Sequence, residues 1–199
     1  MASATHITLI GFMGTGKSTV ARLLAERLGW DAVDADQLIA EKAGKSIPAI
    51  FAEDGEMAFR KLEAQMYASF GGRTRVIVAA GGGAPLLDET RKAIVSSGLV
   101  VCLEAAPETI AARVRSSSTD DDRPLLAEVN PMSRIKRLKG QRAAMYAQAD
   151  LTVNTDVMAP GEVVDFIAGW RALYGEKAVA RPGRVASLSA TPAVMPPIV

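Results

Sequence analysis

Eight residues, Gly11-Phe12-Met13-Gly14-Thr15-Gly16-Lys17-Ser18, constrain this chain more than any other stretch. They follow the pattern G-x-x-x-x-G-K-[ST], a loop whose backbone N–H groups cradle phosphate oxygens. The context supports the pattern: an apolar run at 7–10 enters the loop and an amphipathic run at 20–28 leaves it. The glycines let main-chain amides turn toward an anion with no Cβ in the way. A helix N-terminus adds positive potential. Lys17 is placed to reach β- and γ-phosphates, and the Ser18 hydroxyl to ligate Mg²⁺. The expected anion is a nucleoside triphosphate, held by Gly14, Thr15, Gly16, Lys17, Ser18 and Thr19.

The rest of the pattern builds an α/β frame around that loop. Short apolar runs at 7–10, 32–33, 76–79, 100–103 and 151–153 read as strands of a parallel sheet covered on both faces. Helical periodicity occupies 17–28, 56–70, 89–96, 107–115, 133–148 and 161–174. Strand–helix alternation implies right-handed crossovers. The run Ser116 to Asp122 holds no apolar residue and reads as a mobile surface loop. We expect one kinase-sized domain over 1–175, with a lid at about 115–127, and a poorly ordered tail over 176–199, which holds four of the ten prolines.

Composition narrows the classes. The 199 residues carry 23 Lys and Arg against 22 Asp and Glu, a net charge of +1, which argues against a nucleic-acid partner. No apolar run approaches the roughly 20 residues of a membrane helix, and no basic N-terminal region marks a secretory signal. One cysteine, Cys102, and one histidine exclude an internal disulfide and a Cys/His zinc centre. A cytoplasmic monomer is the expectation. The N-K-x-D and D-x-x-G patterns of GTPases are absent from the sequence. The run at 76–80 ends in Gly81-Gly82-Gly83 rather than in the Asp-Glu of motor ATPases. A small-molecule kinase fits best.

Acceptor candidates lie where strands end, because ligands of parallel α/β sheets bind there. Asp34 and Asp36, at i and i+2 of an extended segment, would point to one side. One would support Mg²⁺ through water; the other would orient or deprotonate an acceptor hydroxyl. An Asp at this point can equally cap a helix starting near Gln37, and Asp36 suits that task. Phe59, Leu62 and Met66 form an apolar stripe beside Arg60 and Glu63, either a surface ion pair or an Arg oriented toward an anion. Three successive glycines cost backbone entropy and suggest a ligand against the main chain. Arg123, at the edge of the polar loop, is either an ordinary loop residue or a lid that closes on the γ-phosphate. Arg142 shares a helical face with Ile135, Leu138 and Met145, so it must be paired or aimed at a ligand. Arg134, Lys136, Arg137 and Lys139 read as a solvated face.

Together these residues resemble shikimate kinase. The matching features run in the family's order over about residues 6–170: the loop Gly11 to Ser18, Asp34-x-Asp36, Phe59-Arg60-x-x-Glu63, Gly81-Gly82-Gly83, Arg123-Pro-Leu-Leu, and Arg142 four before Tyr146. The resemblance implies the nucleoside-monophosphate-kinase type of P-loop fold, a five-stranded parallel sheet of order 2-3-1-4-5 with helices on both faces and a substrate-binding part at about 34–63. It implies transfer of the ATP γ-phosphate to the 3-hydroxyl of shikimate. Lys17, Asp36 and Arg123 would be catalytic, and Arg123 would also bind ATP. Asp36, Arg60, Gly82 and Arg142 would bind shikimate, the two arginines clamping its carboxylate. Ser18 and Asp34 would serve Mg²⁺. The alternative is another P-loop kinase, such as a gluconate-type kinase, which should not need both arginines around Asp36. Thr155 to Met158 lacks the Arg that many members place near adenine.

Overall fold

The computed structural model describes residues 6–70, 72–116 and 130–180. Among them, five strands make one parallel sheet: β1 His6–Ile10, β2 Asp31–Asp34, β3 Val76–Ala79, β4 Leu99–Glu104 and β5 Leu151–Asn154, in the order β2-β3-β1-β4-β5. The centre of the sheet is buried and mostly apolar, with His6 and Thr8 of β1 as its polar members. Every residue of β1 and β3 is buried, as helices on both faces require. The edge strands β2 and β5 are only partly covered.

Helices α1 Lys17–Leu28 and α8 Pro160–Val179 cover one face. Their apolar sides, including Leu24, Val163 and Ile167, pack on Ile7, Leu9, Val101 and Leu103. Helices α2 Ala35–Ala43, α3 Ile47–Ala49, α4 Gly55–Ser69, α5 Asp88–Ser97, α6 Pro107–Ser116 and α7 Pro131–Tyr146 lie over the other core. There Ile39, Ile50, Phe59, Met66, Ile94, Ile110 and Ile135 meet Ile10, Phe12, Val76 and Val78. The Phe59–Leu62–Met66 stripe faces this core as expected.

Three segments differ from expectation. Helix α2 begins at Ala35, directly after β2, because the Asp34 carboxylate accepts from the Asp36 and Gln37 amides. A cap this early pulls the chain into the helical region at once. Between α3 and α4 the chain makes one π-helical turn, Ile50–Asp54, that keeps Ile50 inside the core. Helix α8 continues to Val179, into the stretch expected to be a tail, and there Ala178 packs against the core. Residues 181–199, the expected lid from 117 onward, Arg123 and Asp120 to Asp122 lie outside the described residues. Among the described residues no helix is long and apolar enough to cross a membrane.

His6 opens β1 inside the core, 3% exposed, with Nε2 paired to Thr8 Oγ1 and its ring edge-on to Phe70. Burial pushes its pKa from 6.5 down to about 4. An unfolded chain takes up a proton below about pH 6.5 that the folded chain refuses until about pH 4. His6 therefore supports folding above that window and withdraws about 3 kcal/mol as pH falls through it, at about 1.4 kcal/mol per unit. In denaturant titrations at several pH values, His6→Gln should lose that much less stability than the parent between neutral pH and about pH 4. Parallel losses in both proteins would show that the acid sensitivity comes from elsewhere.

Candidate active site

The carboxyl ends of the five strands put every described candidate on one edge of the sheet. β1 runs into the glycine loop, whose shape depends first on Gly11. Its φ is 135°, and a Cβ there would lie 2.3 Å from the Leu103 carbonyl oxygen of β4. No other residue fits. Inside the loop, Thr15 Oγ1 donates to Phe12 O at 2.8 Å. Lys17 Nζ donates to Gly11 O at 3.0 Å and Phe12 O at 2.9 Å. Gly16 precedes α1 without a capping side chain, and no acidic residue stands in the first turn. The helix's N-terminal amides and the positive end of its dipole are thus offered to an anion. Burial lowers the Lys17 pKa to about 8, while Asp36 and Asp34 pull it upward.

Asp34 and Asp36 do not sit side by side on an extended segment, as their spacing suggested, because α2 starts between them. Asp34 is itself the cap, and Asp36 is not. Asp34 Oδ1 holds the first turn of α2, and Asp34 Oδ2 accepts from Ser18 Oγ at 2.5 Å. This hydroxyl–carboxylate pair is an all-oxygen set beside the phosphate loop, the donor chemistry Mg²⁺ prefers. Asp36 instead turns toward the end of β3. Burial raises its pKa, and Asp34 adds to that rise; Lys17 and Arg60 oppose it.

Gly81-Gly82-Gly83, just past β3, is the floor on which three charged side chains converge. A Cβ on Gly81 would lie 2.6 Å from Asp36 Oδ1. One on Gly82 would lie 3.3 Å from Arg142 Nη1, and one on Gly83 would lie 3.2 Å from Arg60 Nη2. Each guanidinium is also steered from behind. Arg60 bonds Glu63 at 2.9 Å and Glu56 at 3.2 Å, and lies over the Phe59 ring. Glu63 is almost fully buried, and burial raises its pKa even though Arg60 pulls it down. Arg142 donates to Gly82 O at 3.0 Å and lies 5.2 Å from the centre of the Phe12 ring. The Arg60 ion pair is thus not a surface one: its Glu63 partner is core-buried, and its Nη atoms lie against Gly83.

Two residues were missed or misread in the sequence. Arg113 of α6 crosses to the end of β5, donating to Thr155 Oγ1 at 2.9 Å and Thr155 O at 2.6 Å, and more weakly to Gly14 O. It borders a cleft of about 340 Å³ next to the phosphate loop, lined also by Thr19, Thr155, Met158 and Pro160. An arginine from a different element thus stands beside the segment that lacks one. Lys139 does not belong to a solvated face. It pairs with Glu104 at 2.6 Å and donates to Ala105 O at 2.8 Å, fastening α7 to the end of β4. The signal for both lies in partners 34–42 residues away, which no local pattern carries.

Comparison with known proteins gives consistent matches. The family model for shikimate kinase matches residues 13–170. A shikimate kinase of Thermodesulfovibrio yellowstonii is 40% identical over 162 residues, 81% of this chain and 92% of that protein. The solved shikimate kinase of Acinetobacter baumannii, in complex with shikimate, superposes with a TM-score of 0.78 at 34% identity, over 86% of this chain and 94% of that one. A gluconokinase from Sinorhizobium meliloti shares the fold at a TM-score of 0.56 and 16% identity, over 89% of this chain and 97% of that one.

The state of Lys17 gives the site a pH signature. A depressed pKa means the ammonium is charged below about pH 8 and increasingly neutral above it. Phosphate contacts need the charge, so affinity for ATP measured by calorimetry without acceptor should fall as pH rises past 8, by about tenfold near pH 9. The phosphate itself is fully ionised throughout that range. Lys17→Arg, charged at every pH, should give a flat profile. A flat profile in the parent would mean that Lys17 stays protonated or does not meet the phosphates.

Proposed function

The chain belongs to the shikimate kinase family, and we propose on that premise that it transfers the γ-phosphoryl group of ATP to the 3-hydroxyl of shikimate, giving shikimate 3-phosphate and ADP. The observation that carries this reading is the convergence of Asp36, Arg142 and Arg60 on Gly81-Gly82-Gly83. One carboxylate and two guanidiniums along one stretch of bare backbone match an acceptor that bears a carboxylate and hydroxyls.

The residues then divide the work. The amides of Gly14 to Thr19 and the N-terminus of α1 hold the β- and γ-phosphates, with Lys17 against their charge. The base lies in the cleft bordered by Arg113, Met158 and Pro160. Ser18 and Asp34 would hold Mg²⁺, which when bound neutralises phosphate charge as the leaving oxygen departs. Asp36 accepts the hydrogen bond of the 3-hydroxyl, orients the oxygen toward phosphorus and takes its proton. A raised pKa brings that carboxylate nearer to the operating pH of a general base. Arg60 and Arg142 fix the substrate carboxylate, and the Gly82 main chain contacts the ring. Arg123, from the lid, stabilises the charge of the transferring group. In this reading the working unit is a cytoplasmic monomer.

The test is a panel of acceptors. ADP release should appear with shikimate and be negligible with gluconate or nucleoside monophosphates. Arg60→Ala and Arg142→Ala should each raise the shikimate KM about tenfold or more, the cost of one charge-assisted contact, and leave the ATP KM almost unchanged. Gluconate turnover that survives both substitutions would overturn the assignment.

The glycine floor adds a sharper expectation. Asp36→Asn should lower kcat by about 10²-fold, the general-base range. Gly81→Ala should lower kcat by about tenfold or more without touching a catalytic group, because the new methyl displaces Asp36 and small misplacements are costly. Steady-state kinetics with ATP and shikimate varied separately read both effects. Full activity in Gly81→Ala would mean that Asp36 does not act from this position.

A further inference from the structure

Gly82 O accepts two hydrogen bonds from α7, one from Arg142 Nη1 at 3.0 Å and one from Tyr146 Oη at 2.7 Å. A carbonyl oxygen has two lone pairs, so both are filled by protein donors. The two donors differ in kind. Arg142 is a guanidinium on a flexible stem. Tyr146 is a rigid ring, 2% exposed and locked in the core, whose hydroxyl has no freedom to leave. The Arg142 guanidinium also lies against that hydroxyl. Since the Gly82–Gly83 peptide is trans, fixing the carbonyl toward α7 turns the Gly83 N–H the opposite way.

We propose that Tyr146 is a positioning residue for the acceptor, a fixed phenolic post that holds the Gly82 peptide and Arg142 in one arrangement before shikimate arrives. The proposal rests on the reading of Arg142 as a carboxylate clamp. Arg142 has five donors. One is committed to Gly82, and Tyr146 decides which way the rest of the fork faces. Loss of the post leaves Arg142 in place but lets its fork wander, and the substrate must then restrain it on binding.

Tyr146→Phe keeps the ring and its packing and removes only the donor. The shikimate KM should rise about three- to tenfold, as for one lost neutral hydrogen bond, with kcat changed by less than about twofold and the ATP KM constant. A direct shikimate Kd from calorimetry should weaken by the same factor. In an Arg142→Ala background the same substitution should have a clearly smaller effect, because of the two groups it positions only the Gly82 peptide is left. A merely structural role would lower thermal stability and shift kcat and both KM values together. That pattern, or equal effects of Tyr146→Phe in the two backgrounds, would overturn the proposal. If Arg142→Ala alone leaves the shikimate KM unchanged, the clamp reading fails and the proposal fails with it. If Arg142→Ala behaves as a clamp mutant while Tyr146→Phe has no effect, only the positioning role is lost.

Discussion

Asp36, Arg142 and Arg60 come from α2, α7 and α4, and they reach the same few ångströms of backbone because nothing projects from it. Each of the three glycines after β3 is pressed by a different charged group, at distances that a methyl group would contest. A protein interior leaves little slack for such a methyl. The constraint therefore runs outward from the main chain. β3 must end at Ala79 so that the glycines fall on the sheet's carboxyl edge, and α2, α4 and α7 must pack so that their polar ends meet there. The large core formed by Ile39, Phe59, Met66 and Tyr146 sets the angles at which the charged groups arrive.

The charges themselves are held in an arrangement that would be costly without partners. Asp36 is raised in pKa by burial, Lys17 is lowered by it, and each is moderated by the other. Glu63 is buried deeper still and is tolerable only because Arg60 is bonded to it. The Arg60–Glu63 pair thus has its cost met by packing, and what it gives in return is direction. A guanidinium tethered to a buried carboxylate and lying over an aromatic ring keeps its Nη atoms against Gly83.

Much of this could be read from sequence, and the reason is locality. The phosphate loop is eight consecutive residues, and β1, β3 and α1 are runs whose period is visible within themselves. The Phe59–Leu62–Met66 stripe followed in the same way, whereas the strand order came from the resemblance to shikimate kinase. What escaped was set by contacts across the chain. Helix α2 was not expected to start at Ala35, because the cap that starts it is a residue that also closes β2. Arg113 went unnoticed and Lys139 was read as part of a solvated face, since their carbonyl partners lie just past β5 and β4 and a carbonyl leaves no mark in a residue pattern. Tyr146 was noted for its spacing from Arg142, yet the group that makes it matter is Gly82, 64 residues away.

The carboxylate of Asp34 joins two helices, α1 and α2, at this end of the sheet. One oxygen closes the first turn of α2, and the other takes the hydroxyl of Ser18 on α1. It acts as a rivet between the helix that leaves the phosphate loop and the helix that carries Asp36. Its consequence is mechanical. A displacement of Ser18 is delivered through the Asp34 carboxylate straight to the Asp36 and Gln37 amides of the α2 backbone. The separation between the phosphates and the acceptor base is thereby governed by a lever one residue long.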